Sequence, residues 1–238
     1  LPGFVNAHSH AFQRGLRGSG ERFPGGTGSF WTWREAMYRL VDELDFERLQ
    51  ALSAQAFREM LAAGITTVGE FHYLHHPAGG PDWKLDQAVL AAARETGIRI
   101  VLLEVYYRTG SIGEALEGAQ RRFDGRAFDE YWRHMQELGR ALDPARESLG
   151  AAPHSIRAAS LEDIERVHAE ARARGMVVHM HVEETQKEIE DCRAAYGRPP
   201  MGLIVERLDL DAGFTAVHAT HTAPEQLAGE ATAATDVY

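Results

Sequence analysis

The sequence predicts an α/β domain of repeated βα units around a parallel sheet, on three observations. Short apolar, often β-branched runs alternate with longer stretches whose apolar residues recur at helical spacing. Most of the short runs are continuously apolar rather than alternating, as expected of strands covered on both faces. Residues able to bind metal or carry protons recur at the C-terminal ends of these runs, the end at which parallel α/β sheets carry their sites.

The bulk numbers agree. The chain has 238 residues, 44% of them hydrophobic, enough for one sizeable core spanning 1–238. A formal net charge of -10 with no basic run argues against nucleic-acid or anionic-membrane partners. Cys192 is the single cysteine, which excludes an internal disulfide framework and suits a reducing compartment. No apolar run reaches the length of a membrane span, so a soluble, cytoplasmic protein is expected.

Taken in order, Phe4 and Val5 begin a strand that closes on His8 and His10. Gly15 to Gly28 reads as a glycine-rich loop. Trp31 and Trp33 follow it as packing anchors, with a wall over a pocket mouth as the functional alternative. A helix is expected from Asp45 to Ala63 with Gly64 as its stop, then a strand from Ile65 to Phe71. Beyond that strand, His75 and His76 read as a solvated loop, whereas Tyr73 is close enough to the strand end to offer a pocket hydroxyl. A helix over Leu85–Thr96 and a strand over Ile98–Val105 come next. A helix near Phe128–Leu142 and a strand over Leu149–Pro153 lead to His154 and Arg157. Ser160, with Asp163 three residues on, opens a helix through Arg174. The strand Met176–His181 is followed by Glu183 and Glu184, and a helix near Met201–Leu208 by the strand Phe214–His218. Pro224 opens one more helix, after six βα units in all.

Side chains two apart on a strand share a face, so His8 and His10 can aim two imidazoles at one point. His181, at another strand end, offers a third nitrogen and leaves room for water on a divalent ion, zinc above all. His179 shares a strand face with His181 and is its rival, but His181 lies nearer the strand end. Glu184 follows three residues later, suited to moving protons between that water and a leaving amine. His218 could orient the water or take its proton. Binuclear sites of this architecture commonly need a carboxylated lysine on the middle strand; the only lysines are Lys84 and Lys187, and the strand ending at His154 has none, which points to one metal and not two. His154 and Arg157 suit a substrate carboxylate, because guanidinium can bind one bidentately. For Arg157, an ordinary solvated residue at a helix start fits the spacing equally well.

The Pro2-Gly3 turn, Asn6 and the His8/His10 pair on a first strand, with histidines ending two later strands, resemble the amidohydrolase superfamily. The segments His8–Arg14, Ser29–Arg34, Glu70–His76, Pro153–Arg157 and Val217–His221 narrow this to a deiminase branch. That branch hydrolyses N-formimino-L-glutamate to N-formyl-L-glutamate and ammonia in histidine breakdown. The resemblance implies a (β/α)8 TIM barrel of amidohydrolase type, here incomplete. About six βα units are expected, with the flanking β-sandwich and the last strands missing. It implies one divalent ion, zinc, on His8, His10 and His181, with Glu184 and His218 as proton carriers. Gln13, Tyr73, His154 and Arg157 would contact the small acidic amidine, in a homodimer without nucleic-acid or membrane partners. Asp236 stands too soon after His218 to be the barrel's terminal metal-binding aspartate and is not assigned. A deaminase of an aminated heterocycle and an inactive metal-binding barrel fragment are the competing readings.

Overall fold

In a computed structural model, residues 2–18, 30–227 and 236–237 are described. Among the described residues seven strands follow one another in a single sheet in chain order: β1 (Phe4–Ser9), β2 (Ile65–His72), β3 (Arg99–Tyr106), β4 (Glu147–Pro153), β5 (Val178–Val182), β6 (Phe214–His218) and β7 (Asp236–Val237). The pairs β1–β2, β4–β5, β5–β6 and β6–β7 are parallel. Helices α1 (Phe30–Glu43), α2 (Phe46–Ala62), α3 (Lys84–Thr96), α4 (Phe128–Arg140), α5 (Leu161–Ala173), α6 (Gln186–Tyr196) and α7 (Pro200–Arg207) stand between the strands. This is the α/β order of a TIM-barrel-like fold, present in part, as the sequence led one to expect.

The ends of the elements follow local chemistry. Asp45 caps α2 by accepting the Arg48 N–H, and Gly64 and Gly97 stop α2 and α3 at φ of +85° and +78°, where a side chain would be strained. Ser160 caps α5 by accepting the Asp163 N–H. All five residues of β5 are buried, as a strand covered on both faces requires.

Several expectations are corrected. Ala11–Leu16 forms a 3-10 helix, so Gly15 and Leu16 belong to an element and not to the loop; of the rest of that loop, residues 19–28 lie outside the described residues. Trp33 lies within α1, a helix whose pattern the tryptophans masked, and the Trp31 side chain is outside the described ones. After β6, Pro224–Leu227 is a single 3-10 turn, and Asp236 and Val237 pair with β6 as a seventh short strand. Among the described residues no helix is long and apolar enough to cross a membrane.

The chain divides into two compact units. The first comprises Leu1–Leu102, Glu117–Asp124 and Ala141–Ser148, the second Leu103–Leu116, Gly125–Arg140 and Leu149–Tyr238. In the first, His75 and His76 are buried, contrary to the solvated-loop reading. The N–H groups of both donate to the Arg122 carbonyl, and the Arg122 guanidinium donates to the carbonyls of His76, Val41 and Leu44. Asp86 Oδ1 lies 3.0 Å from His72 Nε2 and 2.9 Å from His75 Nδ1, so each buried imidazole has a carboxylate to meet its polarity. Burial, and then the charge of His75, push the His76 imidazole down to about 4, leaving it neutral.

Candidate metal and proton-transfer site

In the first unit, His8 lies in β1 and His10 one residue past its end, before the 3-10 helix, and their Nε2 atoms stand 3.1 Å apart. That is near the roughly 3.3 Å edge of a tetrahedron with zinc–nitrogen bonds of about 2.0–2.1 Å. His10 Nδ1 lies 2.9 Å from the Phe71 carbonyl oxygen. A carbonyl only accepts, so Nδ1 carries the proton and Nε2 keeps the lone pair a metal needs. The donor chemistry of this pair therefore fits a divalent ion.

The turn after His10 is fixed by Glu70, the first residue of the Glu70–His76 segment. Glu70, buried on β2, accepts the Ala11 N–H at 2.6 Å. Burial pushes its carboxyl up to about 8, against the pull of the Ala11 N–H and the Ser9 hydroxyl. Gln13 Nε2 donates to the Tyr73 hydroxyl at 2.9 Å, and the Tyr73 ring meets the His10 ring edge-on with centroids 5.2 Å apart. His8, His10, Gln13 and Tyr73 thus form one group.

The second unit gathers the other five. The His181 ring lies 4.8 Å from the ring of His154 and 5.0 Å from that of His218, stacked on the latter with 20° between planes. His179, two residues back on β5, is buried with Thr215 as its register partner, and burial pushes its imidazole down to about 4. Of the two rivals, His181 is the one among the other strand-end groups. Glu184 Oε1 lies 3.7 Å from His218 Nε2, while Glu184 Oε2 accepts from Arg157 Nη2 at 2.5 Å. Burial lowers the His218 pKa most, with Glu184 opposing and Arg157 adding to it, which favours the neutral ring.

The structure removes one of the two readings left open for Arg157. Arg157 is no solvated residue; its guanidinium is held by Glu184, and Glu188 Oε2 lies 3.5 Å from its Nε. Glu183, the neighbour of Glu184, is buried and occupied by the Met201 N–H, the Thr222 hydroxyl and the Gln226 amide. Glu188 escaped the sequence reading altogether. Its signal was present in Thr185-x-x-Glu188, a helix-start pattern, and Thr185 does accept the Glu188 N–H at the head of α6.

The amidohydrolase family model matches residues 1–235, and the chain belongs to that family. Over 237 residues it is 40% identical to the formimidoylglutamate deiminase of Pseudomonas aeruginosa, covering 97% of this chain and 52% of that protein. Among solved structures, an amidohydrolase from Brucella melitensis is similar at TM-score 0.85 and 34% identity, over 99% of this chain and 53% of that one. An adenosine deaminase from Xanthomonas campestris, solved with bound zinc, is similar at TM-score 0.77 and 25% identity, over 99% and 48%. The chain spans about half the length of the relatives it matches.

Proposed function

We propose that the intact protein is a metal-dependent hydrolase that cleaves the terminal C–N bond of N-formimino-L-glutamate, giving N-formyl-L-glutamate and ammonia. The observation that carries this reading is the grouping of His181, Glu184, His218 and Arg157 at the ends of β5, β6 and the turn after β4. The likeness to the Pseudomonas deiminase supports the choice of substrate.

In this reading His8, His10 and His181 hold one divalent ion, zinc by preference, as the Nε2 spacing of the first two supports. Such an ion lowers the pKa of a water enough for it to ionise near neutral pH. Glu184 takes a proton from that water and returns it to the departing nitrogen, with His218 beside it to share the load. The water oxygen bonds to the formimino carbon, the bond to the terminal nitrogen breaks, and both water protons leave on ammonia. Arg157 and His154 bind a carboxylate of the glutamate portion, and Gln13 and Tyr73 contact its other end. A homodimer, expected from the family resemblance, belongs to the same proposal and is read by light scattering.

The test is ammonia release by the intact, zinc-loaded protein. N-formimino-L-glutamate should yield ammonia and N-formyl-L-glutamate in equal amounts. Deamination of adenosine-type nucleosides with no turnover of the formimino compound would replace this reading with that of a heterocycle deaminase. Zinc binding without turnover of either would leave a metal-binding barrel alone.

A further inference from the structure

We propose that Glu188 is a positioning residue of this site, holding the Glu184 turn and the Arg157 guanidinium in the arrangement the reaction uses; this rests on the reading of Glu184 above. Glu188 stands in the first turn of α6 and its side chain is fully buried. Oε1 accepts the N–H of Glu183 and Oε2 the N–H of Glu184, each at 3.2 Å, and Oε2 also faces Arg157 Nε at 3.5 Å. One carboxylate therefore touches both the backbone that carries Glu184 and the cation that pairs with it.

Two physical arguments give these contacts a purpose. Glu183 is a non-glycine residue at φ +53°, a conformation kept only where the surroundings over-determine it. Its carboxylate is tied to α7 and the segment after β6, while Glu188 takes its N–H and that of the next residue. The turn that aims Glu184 is thus pinned from both sides. The second argument is charge. A buried carboxylate is costly unless paired, and Arg157 supplies the counter-charge that opposes the rise burial imposes on Glu188. When Glu184 takes up a proton it loses its hold on the guanidinium. Glu188, out of reach of solvent, keeps Arg157 in place through that step.

The test is a double-mutant cycle on the intact, zinc-loaded protein with Glu188→Gln and Glu184→Gln, read on whichever C–N substrate the wild type turns over. A misplacement of about 1 Å in a reacting group costs on the order of 10²-fold, so Glu188→Gln alone should lower kcat roughly 10- to 100-fold. Metal content should stay near wild type. In the Glu184→Gln background, where the group to be positioned is already lost, the same substitution should change the residual rate less than about threefold. Full kcat in Glu188→Gln, or losses that simply multiply, would overturn the proposal while leaving the role of Glu184 intact. Full activity in Glu184→Gln alone would sink the assignment of Glu184, and the proposal with it. If Glu188→Gln does not accumulate as folded protein, Glu188→Asp, which keeps the charge but withdraws it by one methylene, goes through the same cycle with the same criteria.

Discussion

Arg157 Nη2 and Glu184 Oε2 stand 2.5 Å apart, so the cation proposed to bind substrate and the carboxylate proposed to move the proton are partners in this structure. Glu184 also faces His218 on its other oxygen. A substrate carboxylate arriving at Arg157 therefore competes with Glu184 for the guanidinium. The two roles are coupled.

Arg157→Met should accordingly alter both kinetic constants for N-formimino-L-glutamate. Losing a charge-assisted hydrogen bond costs about 1.5–3 kcal/mol, roughly tenfold to over a hundredfold in kcat/KM. Release of Glu184 from its partner should add a fall in kcat. Steady-state kinetics checks this, and a rise in KM with kcat unchanged would mean that the pair with Glu184 plays no part in turnover.

Glu184→Gln preserves shape but cannot accept a proton. Turnover should drop roughly 10²- to 10⁴-fold with metal content unchanged by elemental analysis. Glu183 is not an alternative base, because three donors occupy its buried carboxylate.

His10→Ala removes one of two nitrogens 3.1 Å apart and leaves the Phe71 carbonyl without that partner. Zinc per chain should fall well below one in dialysed protein, while far-UV circular dichroism stays near wild type. Retained zinc at full occupancy would place the metal elsewhere.

Stability should carry a pH signature from Arg94 and Glu147. Arg94 donates to both Glu147 oxygens at 2.7 and 2.8 Å, and these bonds hold the Glu147 carboxyl below its usual value against burial. A depressed folded pKa adds stability above the unfolded value of about 4.3 and loses it as pH falls through the folded one. Glu147→Gln should therefore destabilise by about 1–2 kcal/mol at neutral pH, allowing for a half-exposed Arg94. As pH falls below the usual carboxylate range the difference should shrink. Melting curves of both proteins across that range check it; a gap that does not depend on pH would rule the ion pair out as its cause.

Cys192 is fully buried in α6, and burial, then the charges of Glu188 and Glu183, push its thiol up to about 12. It should resist iodoacetamide in the native protein and react once denaturant is added. Rapid native labelling, followed by mass spectrometry, would show that α6 opens readily.

Much of the candidate grouping was legible in the sequence because it depends on short-range geometry. An HxH pair at a strand end can aim both imidazoles at one point, and the Nε2 atoms of His8 and His10 stand 3.1 Å apart although the strand already ends at Ser9. Gly64 and Gly97 mark helix ends because the lack of a Cβ allows their positive φ, and Asp45 and Ser160 by the N–H groups their side chains accept. The strand-end positions of His154, His181 and His218 follow from the same periodicity. What the tertiary structure alone decided was which charge meets which. His75 and His76 look solvated in sequence, but Arg122, 46 residues beyond His76, brings the carbonyl that takes their N–H groups, and Asp86 meets His75. Arg157 fitted a free cation or a ligand for substrate until the folded chain set Glu184 and Glu188 against it. Local spacing determines where a side chain points within its own element, whereas the partner of a charge is set by where a distant stretch of chain returns, and no pattern along the chain encodes that distance.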